Sequence, residues 1–412
     1  TRRGTYTVRL LRRLLAKLGH LPVRIVLPDG EEVALPDVQP VGTIEILDKR
    51  IIWPLVFDPL FRFGEAYSRG QIEVHGNMAD CLTEIYRFMN QNGKEWWGQR
   101  IWNTLRRPRG NSLLNSKDNI HHHYNIGNDF FRLWLDENMV YTCAYFSRPE
   151  YTLEQAQAAK MDHVCRKLRL QPGMEVVEAG CGWGALALHM AKHYGVRVRA
   201  CNISREQIAF ARETARRSGL SDQVEFVEDD WRNLRGQYDA FVSVGMLEHV
   251  GVRNYRLLGQ TIRSCLKPDG LGLIHTIGQN VPRPLGSWIE RRIFPGAYPP
   301  TLGQMMDILE PEDFSVLDVE NLRLHYAETL RHWLQRFDDV EDEIRSQFDE
   351  RFVRMWRMYL NGSIAGFASG CMQLFQVVFA HGACNRVPRT REHLYDSAFS
   401  AVCQTGQAAA LR

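Results

Sequence analysis

A chain of 412 residues is too long for one ordinary hydrophobic core and calls for two domains. Hydrophobic residues make up 44% and charged residues 24%, the balance of a globular protein, and a net charge of only +3 gives no bulk field for a nucleic acid. The nine cysteines are scattered, odd in number and without a CxxC pair, which excludes a complete disulfide framework and points to a reduced, cytoplasmic protein.

Residues 5–18 read as an amphipathic helix. Leu10, Leu11, Leu14, Leu15 and Leu18 share one arc, and Arg9, Arg12, Arg13 and Lys17 share the other. Two readings stand: attraction to an anionic lipid surface, or a helix docked on its own domain with a solvated basic face. No apolar run approaches the roughly 20 residues that span a bilayer. Any membrane contact is therefore expected to be peripheral.

From Val23 the period shifts to two. Val23, Ile25 and Leu27 alternate, Pro28-Asp29-Gly30 is a turn, and Glu32-Val33-Ala34-Leu35 returns. Further strands are expected at Thr43–Ile46 and Ile72–Val74. A helix is expected over residues 79–92, with Leu82, Ile85, Tyr86 and Met89 on one face. Residues 1–105 thus form a small α+β accessory domain with no catalytic constellation. Residues 106–118, rich in turn formers and basic charge, are the expected linker. From residue 119 to 412, strand runs alternate with helical patterns, the signature of a parallel α/β sheet of Rossmann-like type. Residues 340–380 read as helical, with Phe352, Met355, Trp356, Tyr359 and Leu360 on a buried face.

The sharpest local signal is Glu175-Val176-Val177-Glu178-Ala179-Gly180-Cys181-Gly182-Trp183-Gly184, followed by a helix from Ala185 to Tyr194. An apolar strand ending in alternate glycines lets a ligand approach the backbone. The spacing is GxGxG rather than GxGxxG, and Glu178 precedes the first glycine by two residues. Both details favour S-adenosylmethionine, which has a charged amino group and a sulfonium but no pyrophosphate, over a dinucleotide. Cys181 fits the tight turn. The second strand, Val196 to Ala200, leads to Asn202 and then Gln207, candidates for the ribose. The third, Val224 to Val227, leads to Asp230 and Trp231, candidates for the adenine.

These segments resemble the cyclopropane-fatty-acyl-phospholipid synthases and the related mycolic-acid cyclopropane synthases. The resemblance is carried by His123-Tyr124-Asn125-Ile126-Gly127-Asn128-Asp129-Phe130-Phe131, Tyr141-Thr142-Cys143-Ala144-Tyr145-Phe146, the glycine loop, Gly245-Met246-Leu247-Glu248-His249-Val250-Gly251, His275-Thr276-Ile277-Gly278 and Tyr326. It implies a Rossmann-like methyltransferase domain, with Tyr141 and Thr142 joining the cofactor site. It also implies a bicarbonate ion held by Cys143, Glu248, His275, Tyr326 and the backbone of Ile277. The implied substrate is an unsaturated phospholipid. The implied setting is a homodimer peripheral to the inner face of the membrane. The N-terminal domain favours phospholipid over mycolic acid. Glu178, Thr142, Asn125 and Asn202 stand where the family commonly has Asp, Ser, Asp and Thr.

The chemistry implied is methyl transfer to an isolated alkene, which leaves a carbocation, followed by loss of a proton from the new methyl to close a ring. That needs an apolar pocket, cation-tolerant walls and a base. Tyr145, Phe146, Trp231 and Tyr298 are candidate cation-facing aromatics, each equally readable as core. Cys143, His275 and Glu248 also spell a nucleophilic triad, but a methyl donor makes a protein nucleophile unnecessary. His121-His122-His123 is not expected to hold a metal. Three other readings are weighed: a methylene- or methyl-branched product, a small-molecule N- or O-methyltransferase, and a lipid-binding protein with a decayed enzyme domain.

Overall fold

Residues 22–33, 39–91 and 126–395 are described by a computed structural model. The expected helix at 5–18, the linker at 106–118 and the three histidines lie outside them. The chain divides into two compact units. The first comprises the described residues of Thr1–Arg109 together with Arg283–Pro295 and Tyr326–Met372; the second holds the rest.

In the first unit, β1 (Val23–Val26), β2 (Glu32–Val33), β3 (Gly42–Ile46) and β4 (Ile72–His75) form one sheet in the order β2-β1-β3-β4. The strands and the turn match the two-residue alternation of the sequence. Leu27, Val33, Ile46 and Ile72 are buried in its core, beneath Ile51 and Ile52 at the start of a short helix. The expected helix is present at Met78–Gln91.

A contiguous cut near residue 105 is not how this unit is built. The guanidinium of Arg292 grips the Glu65 carboxylate in a bidentate pair of 2.6 and 2.9 Å. Arg354 donates to the carbonyls of Tyr67 and Ile72, at 2.7 and 2.9 Å, and lies over the Tyr67 ring. Both arginines come from far downstream, so the N-terminal elements are completed by later helices, Ser287–Arg292 and Glu350–Ala368.

The second unit carries a seven-stranded sheet: β5 (Glu175–Ala179), β6 (Arg197–Asn202), β7 (Val224–Glu228), β8 (Tyr238–Val244), β9 (Leu266–Gly278), β10 (Phe314–Asn321) and β11 (Gln373–His381). Its order is β10-β11-β9-β8-β5-β6-β7. The strands from β9 to β7 are parallel; β11 runs antiparallel to both of its neighbours. Residues 373–381 are therefore strand, where a helical reading was expected over 340–380. The segment is buried on both faces, so it carries no two-residue alternation that separates strand from helix.

Alternation along β5 sorts its side chains. Val176 packs with Val164 and Met190, while Val177 and Ala179 pack with Ile262 and Leu258 on the opposite face. Glu178 shares the Val176 face, so a carboxylate is carried into an apolar layer. The chain passes β5, β6 and β7 in one direction and then returns to β8 on the other side of β5. Ligands of such sheets bind outside the carboxyl ends at that reversal. The glycine loop is there. Gly184 has φ +89°, and a Cβ on it would stand 2.6 Å from the Phe226 ring and 2.9 Å from the Ala211 Cβ.

Gly184→Val should therefore combine left-handed strain with overpacking and cost about 2–4 kcal/mol. Urea unfolding of the second unit checks this, and an unchanged midpoint would contradict the packing described.

Candidate active site

The loop after β5 is pinned from below. The amides of Gly180 and Cys181 both donate to the carbonyl of Cys201 at the end of β6, at 2.9 and 3.1 Å. Gly180 has φ +82°, and a Cβ there would come within 2.9 Å of the Met246 side chain. A cavity opens above the loop. Tyr141, Thr142, Glu178, Gly180, Cys181, Gly182, Asn202 and Gln207, eight of the expected cofactor residues, line it. Asn202 Nδ2 donates to Gln207 Oε1 at 2.7 Å and to the Gly182 carbonyl at 3.3 Å, tying the second strand end to the loop. The Tyr141 ring packs with Phe131 and Trp134, and Trp183 Nε1 donates to Asn128. In this way the segment before the sheet is fastened to the loop.

Asp230 and Trp231 stand apart from this lining. The Asp230 carboxylate is engaged by Arg232, through its amide at 2.9 Å and its guanidinium at 2.9 and 3.0 Å. Trp231 is buried in the core beside Val177 and Leu234, with the Arg232 guanidinium 4.6 Å from its ring centre. The strand-end position was legible; that a neighbouring arginine claims the carboxylate was not.

The cavity also has walls that the sequence reading missed. Lys160, Met246 and His249 line it. Lys160 is almost fully buried and donates to Thr142 Oγ1 at 3.0 Å. Its signal was present: in the helix Leu153–Lys167 it sits on the buried stripe with Ala156, Val164 and Lys167. Burial lowers Lys160 to about 8 and raises Glu178 to about 8, each partly offset by the other's charge. Burial alone lowers His249 to about 4.

The short helix Leu247–Val250 carries Glu248. Met246 and His249 face the cavity; Glu248 instead accepts from the Ile277 amide at 2.6 Å. That amide, which the resemblance assigns to an outside oxyanion, donates to Glu248 here. The second carboxylate oxygen, Oε2, is buried and has no hydrogen-bond partner among the described residues. Burial raises Glu248 to about 7, against the lowering effects of the Ile277 amide, its own amide and the Thr276 hydroxyl.

His275 is buried in β9, and Gln376 Nε2 stands 3.0 Å from its Nδ1. Donation by the amide places the ring proton on Nε2. The orienting partner of His275 is thus Gln376, not Glu248, which also removes the hydrogen-bond order that a Cys–His–Glu triad requires. Burial, reinforced by Lys160 and Lys167, lowers His275 to about 3, so the ring is neutral. Gln376 was missed, although a glutamine amid Leu374, Phe375, Val377 and Val378 is itself a signal. Cys143 is fully buried, its thiol 3.1 Å from the Ala144 carbonyl and 3.9 Å from that of Leu322.

Tyr326 belongs to the first unit, where its ring stacks on Phe367 at 4.5 Å. The other four residues of the expected anion set belong to the second. Among the cation-facing candidates, Tyr145 is stacked against His163 at 4.4 Å and His325 at 4.8 Å, and the Phe146 amide donates to His325 Nδ1. Tyr298 donates its amide to the Glu248 carbonyl at 2.8 Å. No cluster able to hold a metal occurs among the described residues.

Glu248 fixes the sign of one pH effect. Its raised pKa means that the folded state binds a proton more tightly than the unfolded state. The associated stability is present below the unfolded value and lost as pH rises through about 7. Relative to Glu248→Gln, the native protein should lose on the order of 3 kcal/mol between pH 4.5 and 8. Denaturant midpoints of the two proteins across that range check this, and a constant difference would contradict it.

Comparison with known proteins agrees with this geometry. Residues 111–377 match the mycolic acid cyclopropane synthetase family, and residues 10–93 match a domain of unknown function, DUF7884. A "probable fatty acid methyltransferase" of Pseudomonas putida is 34% identical, over 91% of this chain and 97% of its own. The cyclopropane-fatty-acyl-phospholipid synthase of Escherichia coli K12 is 42% identical, over 64% of this chain and 68% of its own. The tuberculostearic acid methyltransferase UfaA1 of Mycobacterium tuberculosis is 33% identical over 89% of each. Among solved structures, the cyclopropane synthase MmaA2 of Mycobacterium tuberculosis superposes with a TM-score of 0.62 at 31% identity, covering 66% of this chain and all of that one. The mycolic acid cyclopropane synthase CmaA1, complexed with SAH and CTAB, superposes with a TM-score of 0.61 at 30% identity, over 64% of this chain and 97% of that one. The chain belongs to the mycolic acid cyclopropane synthetase family and is an S-adenosylmethionine-dependent methyltransferase.

Proposed function

We propose that the protein transfers a methyl group to the double bond of an unsaturated phospholipid acyl chain and closes a cyclopropane ring. The observation that carries this reading is Glu248. It is a buried carboxylate with one bare oxygen, on the short helix beside Met246 and His249, which line the cofactor cavity. A donor pocket alone serves any methyl transfer. A cation formed on an alkene must in addition lose a proton from carbon, and this needs a buried acceptor nearby.

When bound, S-adenosylmethionine supplies an electrophilic methyl and bicarbonate supplies the base. The residues present suit the first. The glycine loop gives backbone access, Glu178 faces the cavity with a bare oxygen, and Asn202 and Gln207 form a polar pair on its rim. The donor set for bicarbonate is narrower than the resemblance implied. Glu248 Oε2 can accept an acid O–H, and His275, held by Gln376, can donate from Nε2. Ile277 acts one step back, by fixing Glu248. By resemblance, Cys143 is a further donor. Ionised Glu248 is the stronger acceptor, so activity rises with pH through about 7.

The phospholipid substrate is supported by the Escherichia coli relative's name and by the N-terminal unit. No described helix is long and apolar enough to cross a membrane, and Trp53 and Phe57, on a helix that follows Lys49 and Arg50, are about half exposed. These features support a peripheral contact, proposed at the inner face of the membrane. The homodimer rests on resemblance alone. A second reading, a methylene- or methyl-branched chain, is favoured by one observation: two relatives that align over about nine-tenths of the chain are named for fatty-acid methyl transfer.

Incubation with S-adenosylmethionine and vesicles of unsaturated phospholipid should add one CH2 per converted chain and remove the double bond. Depleting bicarbonate should slow the reaction about tenfold or more, the scale of general-base catalysis. An unchanged rate would sink the base assignment, and a retained double bond would favour the branched product.

A further inference from the structure

Lys160 is left over when the site is read as a methyl-donor pocket, since a cationic sulfonium gives no reason for a second buried cation. Its geometry supplies one. An ammonium donates and never accepts, so at 3.0 Å from Thr142 Oγ1 it occupies a lone pair of the hydroxyl. The hydroxyl proton of Thr142 must then point to another acceptor. Thr142 is itself held in place: Gln157 Nε2 donates to its carbonyl at 2.9 Å, and its methyl group packs against Gly245, where a Cβ would stand 3.0 Å away. Glu178 lines the same cavity, and its charge, after that of Asp136, acts on Lys160. It is 2% exposed, one of its oxygens has no partner among the described residues, and the other is reached by the Ala187 amide.

The lining of this one cavity thus carries an ammonium with a hydroxyl donor and a carboxylate with a bare oxygen. We infer that Lys160, acting with Thr142, recognises the carboxylate of the methionine end of the methyl donor, while Glu178 takes its ammonium. Lys160 is then a specificity residue, not a structural cation. The electrostatics agree. Burial pushes Lys160 and Glu178 each toward its neutral form, and an incoming zwitterion brings each the opposite charge. The inference rests on the S-adenosylmethionine reading and adds to it the residue that reads the amino-acid end.

Calorimetric binding of S-adenosylhomocysteine and of decarboxylated S-adenosylhomocysteine to the full chain tests it. Lys160→Met should weaken the first about a hundredfold, the scale of a buried hydrogen bond to a charged group. The decarboxylated probe should change by less than about threefold. Equal losses for both probes, or no loss for the first, would overturn the assignment. If Lys160→Met does not fold, Lys160→Gln replaces it with the same expectations. The native protein provides an independent arm: it should prefer the intact probe by at least about tenfold, and no preference would overturn the inference. Failure of the native protein to bind either probe would overturn the donor reading itself, and with it the inference.

Discussion

The hydrogen bond from the Ile277 amide to Glu248, 2.6 Å long, ties the helix that follows β8 to the end of β9. It holds a carboxylate where water does not reach. One oxygen is satisfied and the other is left bare. A buried carboxylate with half its capacity unfilled is costly, and such costs gather where a site needs a group poised near neutrality. The four-residue helix that carries Glu248 separates two environments. Met246 and His249 face the cofactor cavity, and Glu248 faces β9. The proposed acceptor of a proton is thereby carried by the same short helix whose neighbouring residues line the cofactor cavity.

Around that bond the second unit arranges neutral groups by burial and charged groups by pairing. His275 and His249 are neutral because they are buried, and Gln376 sets which nitrogen of His275 carries hydrogen. Lys160 and Glu178 share the cavity as opposite charges, each disfavoured alone. An apolar lipid chain brings no hydrogen bonds of its own to a site, so the polar groups must be preorganised by one another. Gln376, Gln157 and Ile277 serve in that role, holding His275, Thr142 and Glu248.

Much of this was legible in the sequence, and what was not has identifiable causes. The glycine loop, the helix Ala185–Tyr194 and the strand ends at Asn202 and Glu228 follow from short-range rules of period and turn chemistry. The expected cofactor residues at the ends of β5 and β6 share one cavity because parallel strands present their carboxyl ends together. That Arg232, two residues on, engages the Asp230 carboxylate was not legible, because propensity rules carry no such pairing. The domain boundary was drawn as one cut because local patterns cannot show that Arg292 and Arg354 return to residues 65–72. Lys160 and Gln376 announced themselves as polar residues on apolar faces, but a single sequence does not name the partner of such a residue.

The central claim is that the added carbon loses one of its hydrogens to a buried base and closes a ring. Trideuteromethyl S-adenosylmethionine with unsaturated phospholipid vesicles measures this directly. The account predicts a saturated ring whose new carbon keeps two deuteriums and gains no solvent hydrogen. A chain that retains its double bond, or one saturated by a branch carrying an extra hydrogen, would contradict it.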